Sequence, residues 1–272
     1  TLLDSAYTDF QRVETLIIES TYGGSQDVMP HRAYTEKQLM DIVYKTMEKR
    51  GVVIIPSFAV ERAQEVMAVL VENGFDHPIY LDGMIWDANG IFTAYPEYLG
   101  HNIQKKIFQG ENPFLNPAFK RIASSQDREK AWEDKPCVIV STSGMLMGGP
   151  VMEHLKHFAE DPNSTLLFVG FQAEGSMGRR LQNGWRELPV KTENGKTASV
   201  ELKINIETIE GLSAHSDRNQ LLAFVGRLMS RPDRVICVHG DPQKTTELAR
   251  GINQIFRIPT DAPNNLESLR LK

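Results

Sequence analysis

The sequence predicts an α/β protein built on a parallel sheet with helices on both faces. Short apolar runs alternate with helical patterns and are separated by glycine or proline turns. The runs at Val52–Ile55 and Pro136–Val140 are continuous rather than alternating, as expected for strands buried on both faces. Several runs stop at a single polar residue, and open α/β sheets place their chemistry at such strand ends.

Val13–Glu19 reads as the first strand. Tyr34–Arg50 reads as a helix with Leu39, Ile42, Val43 and Met47 on one face, closed by Gly51. After Val52–Ile55, Ser57 is placed to cap a helix Val60–Glu72 that Gly74 ends. Pro78–Leu81 repeats the strand pattern. Residues 84–135 carry aromatics and prolines with little clean period, which predicts short helices and loops. Gly149-Pro150 opens a helix Val151–Glu160, with proline at a first-turn position. Its two histidines, His154 and His157, lie three apart and read as a solvated face, since no third ligand is near in sequence. Thr165–Val169 is a strand, and a helix through Arg179-Arg180-Leu181 stops at Asn183-Gly184. Val200–Glu207 alternates with period two and predicts one half-exposed strand, entered through a hairpin turn at Lys191–Lys196. Ser216 or Asp217 can cap a helix Asn219–Met229.

With 272 residues, 41% hydrophobic and 24% charged, the chain is long enough for two domains or one large α/β unit. A net charge of −5 excludes a general polyanion binder, so any nucleic-acid contact must come from a local groove. Cys137 and Cys237 each lie inside an apolar run and read as free buried thiols of a reducing cytoplasm. No apolar stretch approaches the roughly 18 residues that span a bilayer. The start, Thr1-Leu2-Leu3-Asp4, is no signal peptide and reads as the middle of a longer chain.

Three segments carry the chemistry. Glu19 ends a strand and is followed by Ser20-Thr21-Tyr22-Gly23-Gly24; His215 lies in Gly211-Leu212-Ser213-Ala214-His215-Ser216-Asp217; His239 lies in Val238-His239-Gly240-Asp241. Together they resemble motifs A, B and C of the β-CASP branch of the metallo-β-lactamase superfamily, the RNA-cutting branch. Further matches are Ile55-Pro56-Ser57-Phe58-Ala59-Val60-Glu61-Arg62, Tyr80-Leu81-Asp82-Gly83-Met84-Ile85-Trp86, Ser141-Thr142-Ser143-Gly144-Met145 and Glu174-Gly175-Ser176-Met177-Gly178-Arg179-Arg180. The resemblance covers essentially the whole chain and is closest to archaeal homologues of the cleavage and polyadenylation specificity factor nuclease. One departure stands out: the family usually has glycine where Glu61 stands. A glutamate in that first helical turn suits the helix dipole but adds negative charge near where the family places RNA.

The resemblance implies a parallel-sheet β-CASP domain, residues 24–212, inserted in a partial metallo-β-lactamase αββα fold made of residues 1–23 and 213–272. The zinc-cluster motif His-x-His-x-Asp-His is missing here, and in the family it precedes the point where this chain begins. Hydrolysing a phosphodiester needs an activated water, charge relief on the phosphoryl oxygens and a proton for the leaving oxygen. A two-zinc site supplies the first two; a histidine held protonated by a carboxylate suits the third. The resemblance assigns His239 as a zinc ligand, His215 as the proton donor and Glu19 as its orienting carboxylate. Ser213, Ala214 and Ser216 would offer hydrogen bonds to phosphate, and Arg62 and Arg179 would face the RNA groove. The glycine turns at Ser143-Gly144 and Gly148-Gly149 stay open between phosphate binding and tight turns alone.

These implications add up to part of a cytoplasmic zinc-dependent ribonuclease, an endonuclease with 5′→3′ trimming in some members, in RNA 3′-end processing or transcription termination. The isolated chain, lacking most of its ligands, is expected to be inactive and to hold no stable dinuclear zinc site. The alternative is a non-catalytic scaffold binding RNA or a partner subunit. A small-ester or thioester hydrolase is disfavoured, since those enzymes lack a large insertion between these motifs. Partners implied are RNA, the transcription or processing machinery, and a second copy of the chain. The C-terminal Asn265–Lys272, with Leu266, Leu269 and Leu271, would dock on that copy or return as an edge strand.

Overall fold

Residues 2–4, 7, 9–191, 197–213 and 215–271 are described by the computed structural model. The elements run β1 (Thr15–Glu19), α1 (Arg32–Glu48), β2 (Val52–Pro56), α2 (Arg62–Glu72), β3 (Ile79–Asp82), α3 (Ile85–Ala94), a 3₁₀ turn at Pro96–Tyr98, and α4 (His101–Phe108). They continue with β4 (Phe119–Ile122), α5 (Ser125–Glu133), β5 (Cys137–Ser141), α6 (Val151–His157), β6 (Thr165–Phe168), α7 (Met177–Gln182), β7 (Glu187–Lys191) and β8 (Thr197–Glu201). The last are β9 (Asn205–Thr208), α8 (Arg218–Arg227), β10 (Arg234–Val238), α9 (Pro242–Phe256) and β11 (Thr260–Asp261). Two compact units result: Thr1–Asp4 with Pro30–Ser213, and Ser5–Met29 with Ala214–Lys272.

In the larger unit the continuous apolar runs are the central strands of a parallel sheet ordered β4-β3-β5-β2-β6-β9. Side-chain alternation divides its core into two layers. Val53, Ile55, Val138 and Val140 pack with Leu39, Val43, Val66 and Leu70 of α1 and α2. Val52, Ile54, Cys137 and Ile139 pack with Val151, Leu155 and Leu181 of α6 and α7. Both faces are covered, so these strands need no polar residue, which is why they read as unbroken apolar runs. Burial pushes the Cys137 thiol up to about 12, and the thiol is free, as expected.

Several expectations for this unit are corrected. Ser57 does not cap α2: its hydroxyl is buried without a hydrogen-bond partner among the described residues, and the helix starts five residues later. Val200–Glu207 is not one strand. β8 pairs antiparallel with β7, whereas β9 joins the parallel sheet beside β6. Between them the Lys203 and Ile204 amides both donate to the Ala159 carbonyl, at 2.7 and 3.1 Å, which turns the chain from one sheet to the other. The turn expected at Lys191–Lys196 falls largely outside the described residues. Finally, the face bearing His154 and His157 is solvated only at His157, which is exposed. His154 is fully buried, with Nε2 2.8 Å from Asp82 Oδ2 and Nδ1 accepting from Trp132 Nε1 at 2.8 Å. An indole N–H only donates, so Nδ1 carries no hydrogen and the proton sits on Nε2, toward Asp82. Arg128 Nε completes the cluster at 2.8 Å from Asp82 Oδ2, and His157 stacks on the Trp132 ring at 4.0 Å.

Glu61 precedes α2 with φ 69 and ψ −59, and the Arg62 amide donates to the Val60 carbonyl at 2.9 Å. That is a tight three-residue turn in a region glycine occupies readily and a side chain does not. The expected first-turn position is therefore corrected: Glu61 stands at the N-cap, and its backbone explains why glycine is the easier residue there. Glu61→Gly is expected to stabilise the chain by about 1 kcal/mol, the relieved strain of ~1–3 kcal/mol less the added freedom of the unfolded chain. Urea unfolding monitored by circular dichroism checks it, and an unchanged or lower midpoint contradicts it.

The smaller unit is a parallel sheet ordered β1-β10-β11, with Ile18, Val235 and Cys237 packed on Leu221, Val225, Leu248 and Ile252 of α8 and α9. Glu19 and Val238, the last residues of β1 and β10, are register partners. The residues that follow them, Ser20-Thr21 and His239-Gly240, thus leave the sheet side by side.

Candidate active site

Two loops at adjacent parallel strand ends are laced together by backbone groups. The Ser20 amide donates to the His239 carbonyl at 3.3 Å, and Ser20 Oγ to the Val238 carbonyl at 2.8 Å. A Cβ on Gly240 would stand 2.4 Å from the Ser20 carbonyl oxygen, so only glycine permits this approach. His239 itself adopts a left-handed backbone, φ 54, which turns the chain sharply out of β10.

Thr21 joins the functional groups. Its amide donates to Glu19 Oε2 at 2.7 Å. Its hydroxyl lies 3.3 Å from His215 Nδ1, 3.2 Å from His239 Nδ1 and 3.2 Å from the His239 carbonyl oxygen. A hydroxyl has one hydrogen and two lone pairs. With the hydrogen given to the carbonyl, the lone pairs accept from both rings. That pattern protonates both Nδ1 atoms and leaves each Nε2 to face a ligand or substrate. His215 Nδ1 also lies 3.4 Å from Glu19 Oε2, and the two rings stack with centroids 5.4 Å apart. Burial pushes the Glu19 carboxyl up, but the hydrogen bonds from His215 and from Thr21 outweigh it and hold the group below the usual carboxylate range. Glu19 is therefore an anion facing a histidine.

His215 is held from its C-terminal side. Asp217 caps α8 through a capping box with Gln220, at 2.8 and 2.9 Å, and accepts from the Met29 amide at 3.0 Å. The Arg218 guanidinium donates to the Gly23 carbonyl, and the Arg218 amide to Asp27 O at 3.0 Å.

Glu19, His215 and His239, far apart in sequence, are thus brought together, with ligand atoms all within 4.8 Å of one another. Two imidazoles and one carboxylate are the donor set of many catalytic zinc ions. By that chemistry the residues fit one zinc. Among the described residues no other such cluster of three occurs. The other expected site residues stand elsewhere. Ser213 and Ser216 are half-buried, and Ala214 falls outside the described residues. Arg62, in the larger unit, is buried and its guanidinium pairs with Glu65, whose other oxygen receives Arg32 Nη1 at 3.0 Å. Its charge is committed inside the unit, unlike the groove-facing group expected. Arg179 is half-buried in the first turn of α7, 3.8 Å from Glu174. The Ser143–Gly149 loop satisfies itself, Ser143 Oγ donating to Gly148 O at 3.1 Å and accepting from the Met147 amide at 3.2 Å. Thr21 received no role from the sequence, although a hydroxyl two residues past the strand-end glutamate was the available signal.

A parallel sheet with its polar cluster at two strand ends, and two histidines and a glutamate in that cluster, defines a metallo-hydrolase type of protein. Comparison with known families agrees: residues 63–181 match the Beta-Casp domain, and residues 199–263 match the Zn-dependent metallo-hydrolase RNA specificity domain. The chain belongs to the β-CASP branch of the metallo-β-lactamase superfamily. It is similar over its whole length to the transcription termination factor FttA of Methanocaldococcus jannaschii, 49% identical and covering 44% of that protein. The FttA of Thermococcus kodakarensis is 47% identical, with 43% covered, and that of a Lokiarchaeum 42% identical, with 44% covered. The chain therefore spans less than half the length of these relatives. Among the described residues no helix is long and apolar enough to cross a membrane.

Proposed function

We propose that this chain is the β-CASP and closing part of a zinc-dependent ribonuclease that hydrolyses RNA phosphodiester bonds in transcription termination or RNA 3′-end processing. The convergence of Glu19, Thr21, His215 and His239 at the ends of β1 and β10 carries the reading. The relatives' name supports the termination context, and the matched RNA specificity domain supports RNA as substrate. We include in this reading the partition into lactamase segments 1–23 and 213–272 around a β-CASP domain 24–212, bounds that lie near those of the two compact units. It includes cytoplasmic action, both endonucleolytic and 5′→3′ modes, and a homodimer through residues 264–272. In that segment Leu266 and Leu271 are exposed, and its described residues belong to no strand.

Zinc, when bound, would polarise the phosphoryl oxygens and lower the pKa of a water. His239 would hold it through Nε2, the nitrogen that Thr21 leaves open. His215, with Nδ1–H directed at Glu19 and Thr21, carries on Nε2 the proton for the leaving oxygen. The Glu19 anion stabilises that imidazolium and fixes the ring. Ser213, Ala214, Ser216 and Arg179 are proposed to bind phosphates of the RNA. A second reading, favoured by the 4.8 Å grouping, makes His215 a ligand with Glu19 and His239.

Elemental analysis after dialysis tests the assignment. The 272-residue chain is expected to retain well under one zinc, whereas the full-length protein retains about two and cleaves RNA. Tight stoichiometric zinc in the chain would favour the second reading. A zinc-loaded full-length protein that binds RNA without cutting it would favour the scaffold alternative. Thr21→Val removes the acceptor shared by both rings. It is expected to weaken zinc binding by the full-length protein about 10–100-fold, the usual effect of losing a hydrogen bond that orients a ligand. Competition against a fluorescent chelator measures this, and unchanged affinity would detach Thr21 from the site.

A further inference from the structure

We infer that a cavity beside His239 is a subsite for one nucleobase of a single-stranded RNA; this rests on the reading of the neighbouring groups as an RNA phosphodiesterase centre. The cavity has a volume of about 400 Å³ and lies between the start of α9 and the segment Ala262–Leu266. That is within the range of pockets that enclose a small organic ligand.

Its chemistry selects the occupant. Among the lining residues there is no lysine, arginine, aspartate or glutamate, so a phosphate finds no counter-charge there. Apolar surface comes from Val238, Pro242, Ala262 and Pro263, and neutral polar groups from Thr246 and Asn265. A nucleobase has the complementary make-up: a flat apolar face and an edge of neutral donors and acceptors. Thr246 Oγ1 gives its hydrogen to the Pro242 carbonyl at 2.8 Å, which leaves its lone pairs as acceptors. The Asn265 amide, exposed, has no hydrogen-bond partner among the described residues and offers both donor and acceptor. His239 belongs both to the cavity wall and to the Glu19–His215 cluster, so a base seated there belongs to a nucleotide close to the reacting phosphate.

The wall opposite α9 is built before any ligand arrives. β11 pairs with β10, Arg234 Nε pairs with Asp261, and Arg234 Nη1 donates to the Arg270 carbonyl at 3.0 Å. The Asn264 amide donates to Glu267 Oε2 at 2.8 Å, and the Glu267 amide returns to the Asn264 carbonyl at 3.1 Å. This turn holds Leu266 in a left-handed backbone, φ 65, with its side chain 95% exposed beside the cavity.

The test uses the full-length protein and an oligoribonucleotide series in which one abasic residue is moved through every position, with binding read by fluorescence anisotropy. Affinity is expected to fall about tenfold at one position and to stay near the intact value elsewhere. Thr246→Trp, which fills the cavity, should weaken the intact oligonucleotide by about the same tenfold and abolish the positional effect. Asn265→Ala, on an exposed residue that disturbs no core packing, should reduce the effect at that same position. A uniform loss, or none, overturns the inference. So does a Thr246→Trp protein that loses self-association but keeps RNA affinity, for the cavity then takes a protein segment. Cleavage without a positional penalty leaves the phosphodiesterase reading standing and removes the subsite. A penalty without cleavage supports the subsite and removes the hydrolytic reading.

Discussion

In the full-length protein, His215→Ala is expected to lower turnover on RNA by about 10²–10⁴, the usual range for losing a general acid, while zinc content barely changes. His239→Ala should lose metal and activity together. The geometry sets this asymmetry. His215 Nδ1 faces the Glu19 anion at 3.4 Å, a partner that fixes the ring and favours a proton donor's role for it. His239 Nδ1 faces the Thr21 hydroxyl, which orients the ring and leaves Nε2 open to a metal. The two mutants are compared by single-turnover cleavage of labelled RNA and by elemental analysis of the same preparations. Loss of zinc in His215→Ala with retention in His239→Ala would exchange the two roles. Loss in both would make Glu19, His215 and His239 one ligand set.

The second large effect is on stability. Asp82→Ala is expected to destabilise the larger unit by about 3–5 kcal/mol, the cost of leaving buried charged and polar partners without their counterpart. Asp82 is 3% exposed and accepts from both His154 and Arg128, so its removal strands both. Against a domain stability of roughly 5–15 kcal/mol, this is a large fraction. The same carboxylate fixes the acid sensitivity. Burial pushes its pKa up, but the hydrogen bonds from His154 and Arg128 outweigh burial and hold it below the ordinary aspartate value. A group whose folded pKa is depressed stabilises the fold above its unfolded pKa, near 4, and loses that contribution as pH falls through the folded value. Wild-type stability should therefore drop below about pH 4, and Asp82→Asn should flatten that limb while lowering stability at neutral pH. Urea unfolding between pH 2.5 and 7 reads both. An Asp82→Ala midpoint within about 1 kcal/mol of wild type, or an unaltered acid limb, would show the cluster to be incidental.

Local patterns recovered what depends on neighbours in sequence. The strands buried on both faces were legible because such strands are apolar at every position, as Val52–Ile55 is. The α8 cap was legible as Ser216 or Asp217, both N-cap residue types, and the structure selects Asp217, which forms a capping box with Gln220. Less was legible where a distant partner intervened. β4, with Phe119 and Ile122 buried and Lys120 and Arg121 exposed between them, has no alternation and passed as loop. The break between β8 and β9 depends on the Ala159 carbonyl, more than 40 residues earlier, which no local period encodes. His154 looked solvated because its partners, Asp82 and Trp132, lie on other elements.

The sequence by itself determined the α/β class, the family and the three segments bearing Glu19, His215 and His239, since strand-end polar residues and glycine turns are written in consecutive positions. Only the tertiary structure decided which groups meet. The parallel register of β1 on β10 sets Glu19 beside Val238, so the loops that follow exit together and the Thr21 hydroxyl reaches both histidines. It also decided that Arg62 is held by Glu65 and that a neutral cavity opens beside His239. Register and side-chain pairing are set by hydrogen bonds between residues some 200 positions apart, and a local pattern holds no information over that separation.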